Sequence, residues 1–289
     1  FKEETMSSKL LLTPGPTNIP ERYLKIFGED IIHHRTPEFR RILKENNENL
    51  KKVFKTKNDV YTLTTSGTGA MEAAVVNFFS KGDKVLVINT GYFGERFAKI
   101  AEIYALDVIN LKYEFGDSYE LDDVKKILSE NPDLKGILAT HSETSVGILN
   151  NIEALGNLTK NTDILLVVDT ISGLVANDFD FDGWNIDVAI AGSQKAFLIP
   201  PGLSFITISD KAKKAMERSD LPKYYLSIKQ YEKYFEEMTE TPYTPAISLI
   251  IALNYSLKDL LAKGIDKCIR EKYELRKHIE EKAQKLGFN

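Results

Sequence analysis

The sequence has few cysteines and histidines, and this scarcity limits the sites that it can contain. Its single cysteine, Cys268, has no disulfide partner within the chain, which excludes a disulfide framework and is typical of the reducing cytoplasm. Of the four histidines, His33 and His34 are adjacent, His141 and His278 are distant, and no HExxH or CxxC spacing occurs. We therefore expect no metal site.

The chain also lacks a strong charge of either sign and any long apolar run. Its net charge is -4 over 289 residues, which gives no bulk attraction to nucleic acid or anionic lipid. No segment approaches about eighteen consecutive apolar residues, and the first ten residues, FKEETMSSKL, lack the apolar core of a signal peptide. We expect a small-molecule partner rather than nucleic acid or a membrane.

Apolar runs of strand length alternate with helix-like segments from residue 60 onward, which is typical of a doubly wound α/β sheet. Runs such as ILLVV and KVLVI are apolar on both faces, as strands covered by helices on two sides must be. We predict a mostly parallel seven-stranded sheet sandwiched by helices. The predicted strands are 60–64, 84–89, 107–111, 135–140, 164–168, 187–191 and 204–208, and the predicted helices include 70–79, 94–104, 121–129, 224–237, 246–262 and 265–285.

Ligands of open α/β sheets bind where the strands end, so the residues after each strand matter most. The stretch SGTG at 66–69 follows the first strand and precedes a helix, which suits either a seat for phosphate or a plain helix cap. Phe93 follows the second strand, and its ring fits either an aromatic plate that stacks on a ligand or a side chain packed in the core. No GxGxxG or GxxxxGK[ST] motif occurs, which argues against a nicotinamide dehydrogenase.

Two charged residues follow neighbouring apolar runs. Asp169 ends ILLVVD, and Lys195 comes soon after DVAIAG. A lysine is normally solvated, but a desolvated amine can attack a carbonyl and form an imine. The segment between the two is long enough for a crossover, so the charges are predicted neighbours. An anion seat, an aromatic plate, an acid and an amine at one sheet edge together suit pyridoxal phosphate.

An ordered set of motifs also resembles class V aminotransferases of the alanine–glyoxylate and serine–pyruvate type. They are TPGPTNIP, HRTPEF, TTSGTGAMEA, NTGYFGERF, THSETSVGILN, VVDTISG, AGSQKAFLIPPGLSF and TPYTPAISL, and they cover residues 10 to about 260. The resemblance implies the pyridoxal-phosphate transferase fold type I and a homodimer. It also implies transamination between a small amino acid of serine or alanine type and a 2-oxo acid of glyoxylate or pyruvate type.

The resemblance assigns roles around the cofactor ring. Lys195 would form the Schiff base, and Asp169 would pair with the pyridinium nitrogen. Phe93, often tryptophan in such enzymes, would stack on the ring, and Ile171 would pack against its other face. Thr144 would lie near the ring hydroxyl.

The resemblance also implies a set of phosphate contacts. Ser66, Gly67, Thr68 and Gln194 would hold the phosphate, and Thr244 would reach the phosphate site of the partner subunit. A second interpretation of Thr244 stays open, because a threonine before a proline also fits a helix N-cap with proline at the first helical position.

The substrate contacts and the domain division are less well defined by the motifs. Gly15 and Arg35 are the substrate candidates, and Arg35 also fits a surface or helix-capping arginine. The family carries its carboxylate-binding arginine in a small C-terminal domain. We expect an N-terminal arm near the active site at 1–20, a large cofactor-binding domain at 21–255, and at 256–289 the start of a small domain that is truncated.

Other chemistries on the same fold remain open from the sequence. A cysteine desulfurase would need a thiol near the cofactor, and Cys268 is predicted to lie in a late helix. Lyase or kynureninase-type reactions would use the same lysine and acid. The non-enzymatic alternative is a binding or scaffold protein, or a catalytically silent homologue.

Overall fold

The computed structural model describes residues 10–288, and a seven-stranded sheet forms its centre. The strands are β1 Val60–Leu63, β2 Lys84–Asn89, β3 Asp107–Lys112, β4 Gly136–Thr140, β5 Ser142–Glu143, β6 Ile148–Leu149, β7 Leu165–Asp169, β8 Val188–Gly192 and β9 Ser204–Ile208. The α-helices are α1 Glu21–Leu24, α2 Pro37–Phe54, α3 Gly67–Phe78, α4 Tyr92–Ile103, α5 Leu121–Glu130, α6 Ile152–Thr159, α7 Asp210–Met216, α8 Ile228–Met238, α9 Ile247–Lys263 and α10 Ile265–Lys285, with a 3-10 turn at Lys25–Gly28.

The strand order of the large sheet is β1-β9-β8-β7-β4-β2-β3. Strand β9 is antiparallel to both of its neighbours, and all the other pairs are parallel. The short strands β5 and β6 form a separate antiparallel hairpin, which the sequence did not predict. The predicted seven strands and their mostly parallel arrangement are confirmed.

Both faces of the sheet are covered, as its apolar runs require. In β7 every residue is buried. Leu166 and Val168 pack into one core cluster with residues of α2 and α9, while Leu165 and Val167 pack into the other with residues of α3 and α4. This alternation follows from the two-residue period of a strand. Each such side chain contributes about 1.5–3 kcal/mol of burial energy.

Three helices begin two or more residues away from their predicted starts. Helices α3 and α4 begin earlier, at Gly67 and Tyr92, and α8 begins later, at Ile228. The start of α8 is set by a distant side chain, because Asn77 Oδ1 accepts the amide hydrogen of Ile228 at 3.0 Å. No helix within residues 10–288 combines the length and apolarity needed to cross a membrane.

The N-terminal segment contacts the loop that carries Lys195. Residues 1–9 of the predicted arm lie outside the described residues. Further along it, Thr17 N donates to Gln194 O at 3.2 Å and Thr17 Oγ1 donates to Lys195 O at 3.3 Å. Helix α9 runs continuously through the predicted boundary at residue 255. The division into domains stays a prediction.

Candidate active site

A cavity of about 220 Å³ lies at the carboxyl-terminal edge of the sheet, where α/β folds bind their ligands. Asp169 is the last residue of β7, and Lys195 follows the end of β8. All the predicted cofactor contacts except Thr244 line this cavity, and so does Gly15. The topology therefore brings the predicted acid, amine, aromatic plate and anion seat to one place.

The Asp169 carboxyl group is buried and only partly satisfied by the chain. Its side chain is 3% exposed, and Oδ1 accepts the amide hydrogen of Ile171 at 2.8 Å. Within residues 10–288 its Oδ2 has no hydrogen-bond partner. Burial, together with the nearby charge of Glu143, raises the pKa of Asp169 to about 7, although the Ile171 amide hydrogen bond and the charges of Arg96 and Lys195 oppose the shift. Such a carboxyl group is suited to a cationic N–H donor.

The Lys195 amine lies in the same cavity, against the backbone of Gly15. A Cβ added to Gly15 would lie 2.6 Å from Lys195 Nζ, so a side chain at position 15 would displace the amine. Burial lowers the pKa of Lys195, while the charge of Asp169 opposes that shift. A lysine with a lowered pKa holds more of its free amine, which is the nucleophilic form.

The amino terminus of α3, which the sequence predicts to be an anion seat, lies on the cavity wall. Its N-cap residue, Ser66, makes no side-chain capping bond, and the amides of Gly67 and Thr68 have no acceptor in the described part of the chain. Gln194 Oε1 is buried nearby and has no hydrogen-bond partner among residues 10–288. Free helix amides bind phosphate well. With an acid and an amine in the same cavity, these residues fit pyridoxal phosphate.

A buried carboxylate that the sequence did not predict fixes the aromatic wall. Glu143 is fully buried, and its Oε2 accepts the amide hydrogens of Phe93 and Gly94, both at 3.0 Å. A carboxylate at a helix N-terminus is favourable, and it holds Phe93 at the cavity. The residue after Glu143, Thr144, contacts Ser172 with 2.6 Å between their hydroxyl oxygens. The sequence did contain a signal for Glu143, because this acidic residue lies in the same motif, THSETSVGILN, from which Thr144 was predicted.

Arg96, Ser142 and Ser172 also line the cavity, and none was predicted. Arg96 Nη1 donates to Thr68 Oγ1 at 2.7 Å, and its guanidinium carbon lies 4.8 Å from the centre of the Phe93 ring. A helical spacing could have found this arginine, because a residue three positions after Phe93 lies on the same face of α4.

The second interpretation of Thr244 was wrong. Thr244 is exposed and lies in the segment between α8 and α9. Helix α9 begins at Ile247 and has Ala246 as its N-cap residue, because the chain is held there by a bond from Ala246 N to Thr64 Oγ1 at 3.0 Å. The predicted role of Thr244 in a partner's site stays a prediction.

Arg35 does not line the cavity, so the structure does not bring this substrate candidate to the site. Its guanidinium forms an ion pair with Glu240, which is 5% exposed, and also donates to Thr241 O at 3.1 Å. Arg40 pairs with the same carboxylate at 2.5 Å. Arg35 therefore anchors the segment after α8 to the start of α2.

Among the residues that the structure describes, neither a metal cluster nor an exposed thiol accompanies the site. No group of three histidine, cysteine or acidic side chains that could hold a metal ion occurs within the described residues. Cys268 is buried on α10. It borders a second cavity of about 510 Å³, whose lining also includes Lys195.

Comparisons with known proteins agree with this geometry. The family model "Aminotransferase class-V" matches residues 18–288. An uncharacterized aminotransferase of Methanocaldococcus jannaschii is 41% identical over 97% of this chain and 73% of its own. An L-aspartate–glyoxylate aminotransferase of Paracoccus denitrificans is 36% identical over 90% and 67%. The crystal structure of an alanine–glyoxylate aminotransferase from Nostoc sp. matches with a TM-score of 0.93 and 28% identity, over 99% of this chain and 77% of that one.

Proposed function

Because the chain belongs to the class V aminotransferase family, we propose that it moves the amino group of a serine- or alanine-type donor to a 2-oxo acid of glyoxylate or pyruvate type. The family is that of aminotransferases that use pyridoxal 5'-phosphate. The observation that carries the proposal is that Asp169 and Lys195 line one cavity beside the free amides of α3. Glyoxylate in the names of the Paracoccus relative and the Nostoc structure supports the acceptor.

In this proposal Asp169 would pair with the ring nitrogen of the cofactor and favour its protonated form. When bound, the cofactor supplies a protonated ring that withdraws electrons from the substrate Cα. A cationic N–H beside Asp169 favours the ionised carboxylate and lowers the pKa that burial has raised. The acid and the ring therefore stabilise each other's charged form.

Lys195 anchors the cofactor and then moves a proton. Once the amino donor has replaced it, the freed amine would act as the general base that takes the proton from the substrate Cα and, as its conjugate acid, would return that proton in the 1,3-shift. Its lowered pKa suits the base role. Gly15, which lies against the amine, is the proposed substrate contact.

Phe93, Ile171 and Thr144 orient the ring. Phe93, whose amide is held by Glu143, would stack on one face of the ring, and Ile171, which lies next to Gly67, would cover the other. Thr144 lies on the side of the ring hydroxyl, together with its bonded neighbour Ser172. Side chains on both sides would limit the tilt of the ring and so help to orient it toward the substrate.

The phosphate is bound by Ser66, Gly67, Thr68 and Gln194, and by Thr244 of a second copy of the chain. The free amides at the start of α3 support the first group. The exposure of Thr244 supports the second, since an exposed threonine can reach a partner. The enzyme is then a homodimer. The single cysteine is typical of a reducing compartment, so we place the enzyme in the cytoplasm.

The replacement Lys195→Ala tests the proposal. The purified wild-type protein should be yellow with covalently held cofactor, and the variant should lose the colour and about 10²- to 10⁴-fold in turnover, because it lacks both anchor and base. Lys160→Ala is the matched control, because Lys160 is exposed at the end of α6. Unchanged turnover in Lys195→Ala would overturn the proposed role of this lysine.

A donor and acceptor screen separates transamination from other chemistry. Serine, alanine and aspartate are paired with glyoxylate or pyruvate, and both the new amino acid and the new oxo acid are measured. Equal amounts of the two products support the proposal. Release of sulfide from cysteine, or an oxo acid without a new amino acid, would instead indicate a desulfurase or a lyase, and no product from any pair would indicate a silent homologue.

A further inference from the structure

The phosphate seat contains no formal positive charge among its expected residues. Ser66, Gly67, Thr68, Gln194 and Thr244 offer only hydroxyl, amide and backbone N–H groups. The start of a helix contributes about half an elementary charge. A phosphate monoester carries about -1.5 to -2, so the seat leaves most of that charge without compensation.

Arg96 lies beside this seat with its charge unpaired. Its Nη1 donates to Thr68 Oγ1 at 2.7 Å, at the start of α3. The guanidinium borders the cavity, and across the described residues no carboxylate lies within 4.0 Å of it. The neighbouring cation on the same helix, Lys99, is different, because it pairs with Glu95 at 3.6 Å.

The position of the guanidinium plane is also restricted. Its central carbon lies 4.8 Å from the centre of the Phe93 ring and 5.1 Å from that of Tyr92. Stacking on aromatic rings holds an arginine without using its five N–H donors. One of these donors binds Thr68, and the others remain for a planar or tetrahedral oxyanion.

We propose that Arg96 binds the cofactor phosphate and supplies the positive charge that the rest of the seat lacks. This inference rests on the proposed function, because it takes pyridoxal phosphate as the ligand of the cavity. It assigns Arg96 the discrimination between the phosphorylated cofactor and the same ring without phosphate.

The test measures binding rather than turnover. Cofactor-free protein is titrated with pyridoxal phosphate, with pyridoxal and with inorganic phosphate, for the wild type, Arg96→Met and Arg96→Lys. Arg96→Met should weaken pyridoxal phosphate about 10- to 100-fold, since it removes a charge-assisted hydrogen bond. Pyridoxal affinity should change less than about twofold. The affinity of Arg96→Lys for pyridoxal phosphate should lie between those of the wild type and Arg96→Met, because lysine keeps the positive charge but lacks the paired N–H donors of the guanidinium.

Lys99→Met is the matched control, because it removes one cation from the same helix outside the cavity. It should leave all three affinities within about twofold of the wild type. Thermal unfolding of each cofactor-free variant checks that it is folded. If Arg96→Met does not fold, the affinities of Arg96→Lys decide the outcome.

Three results would overturn the proposal. One is equal loss for pyridoxal phosphate and pyridoxal, which would mean that Arg96 acts through the Phe93 ring. Another is no loss for either ligand. The third is a wild type that binds no pyridoxal phosphate, which removes the proposed cofactor site as well. A wild type that binds the cofactor but fails the donor and acceptor screen would refute only the proposed reaction.

Discussion

Two buried aspartates lie at opposite edges of the sheet, and the chain treats them differently. At the amino-terminal edge, Asp187 is 4% exposed, and its carboxylate accepts one amide and one hydroxyl hydrogen bond and pairs with Lys211 at 2.8 Å. At the carboxyl-terminal edge, Asp169 is 3% exposed and accepts a single amide hydrogen bond within the described chain. The two carboxyl groups are almost equally buried, but Asp187 has more hydrogen-bond and ion-pair partners than Asp169.

The difference separates a structural carboxylate from a functional one. A buried charge is costly unless it is paired and hydrogen-bonded. Lys211 meets that requirement for Asp187 from within the chain, whereas no cation among residues 10–288 pairs with Asp169. Changes at the amino-terminal edge should therefore alter stability alone, and changes at the carboxyl-terminal edge should alter binding and catalysis.

The largest expected effect is on the pH dependence of the cofactor-free protein. The pKa of Asp169 is about 7 in the fold and about 3.9 in an unfolded chain. Between these values the folded state binds more protons than the unfolded state. The free energy of unfolding should therefore fall as the pH rises through this window, by on the order of 4 kcal/mol, and level off above it.

Urea unfolding across this pH range, for the wild type and Asp169→Asn, isolates the effect. Burial lowers the pKa of His141 to about 4, which gives an opposite slope between pH 4 and 6.5, but this contribution cancels in the difference between the two proteins. Asp187→Asn is the matched variant and should retain the Asp169 slope. A difference curve that is flat from pH 4 to 7 would refute this account of Asp169.

The second prediction compares the same substitution, aspartate to asparagine, at the two edges of the sheet. Asp187→Asn should lower the free energy of unfolding by about 2–3 kcal/mol, because it leaves Lys211 with a weakened partner, and folded protein should keep its turnover. With cofactor bound, Asp169→Asn should lose about 10²- to 10³-fold in turnover, because a preorganised charge is removed. Steady-state rates and urea midpoints measure both. If Asp187→Asn lost turnover to a similar degree, the two edges would not be separate.

Regular structure and the ends of strands were predictable, because both depend on local pattern. The seven strands follow from apolar runs of strand length, and Asp169 and Lys195 stand out because each follows such a run. The hairpin of β5 and β6 was missed, because two residues per strand carry no periodic signal.

What the sequence could not provide was the partner of each polar side chain. Glu143 caps a helix that begins about fifty residues before it. Arg35 was expected near the substrate, but it pairs with Glu240, which is distant in sequence. These pairings depend on how the chain folds back on itself, and no local spacing indicates them.

The smallest expected effect is a gain in stability at the amino-terminal edge. Lys55 ends α2 with φ 52°, a left-handed conformation that disfavours residues with a Cβ. Lys55→Gly should raise the free energy of unfolding by about 0.5–1 kcal/mol, whereas Lys55→Ala, which keeps the Cβ, should give no such gain. Urea unfolding measures both variants, and turnover should stay within about twofold of the wild type. A loss of turnover in Lys55→Gly without a loss of stability would contradict the separation of the two edges, since Lys55 is not one of the residues that line the cavity.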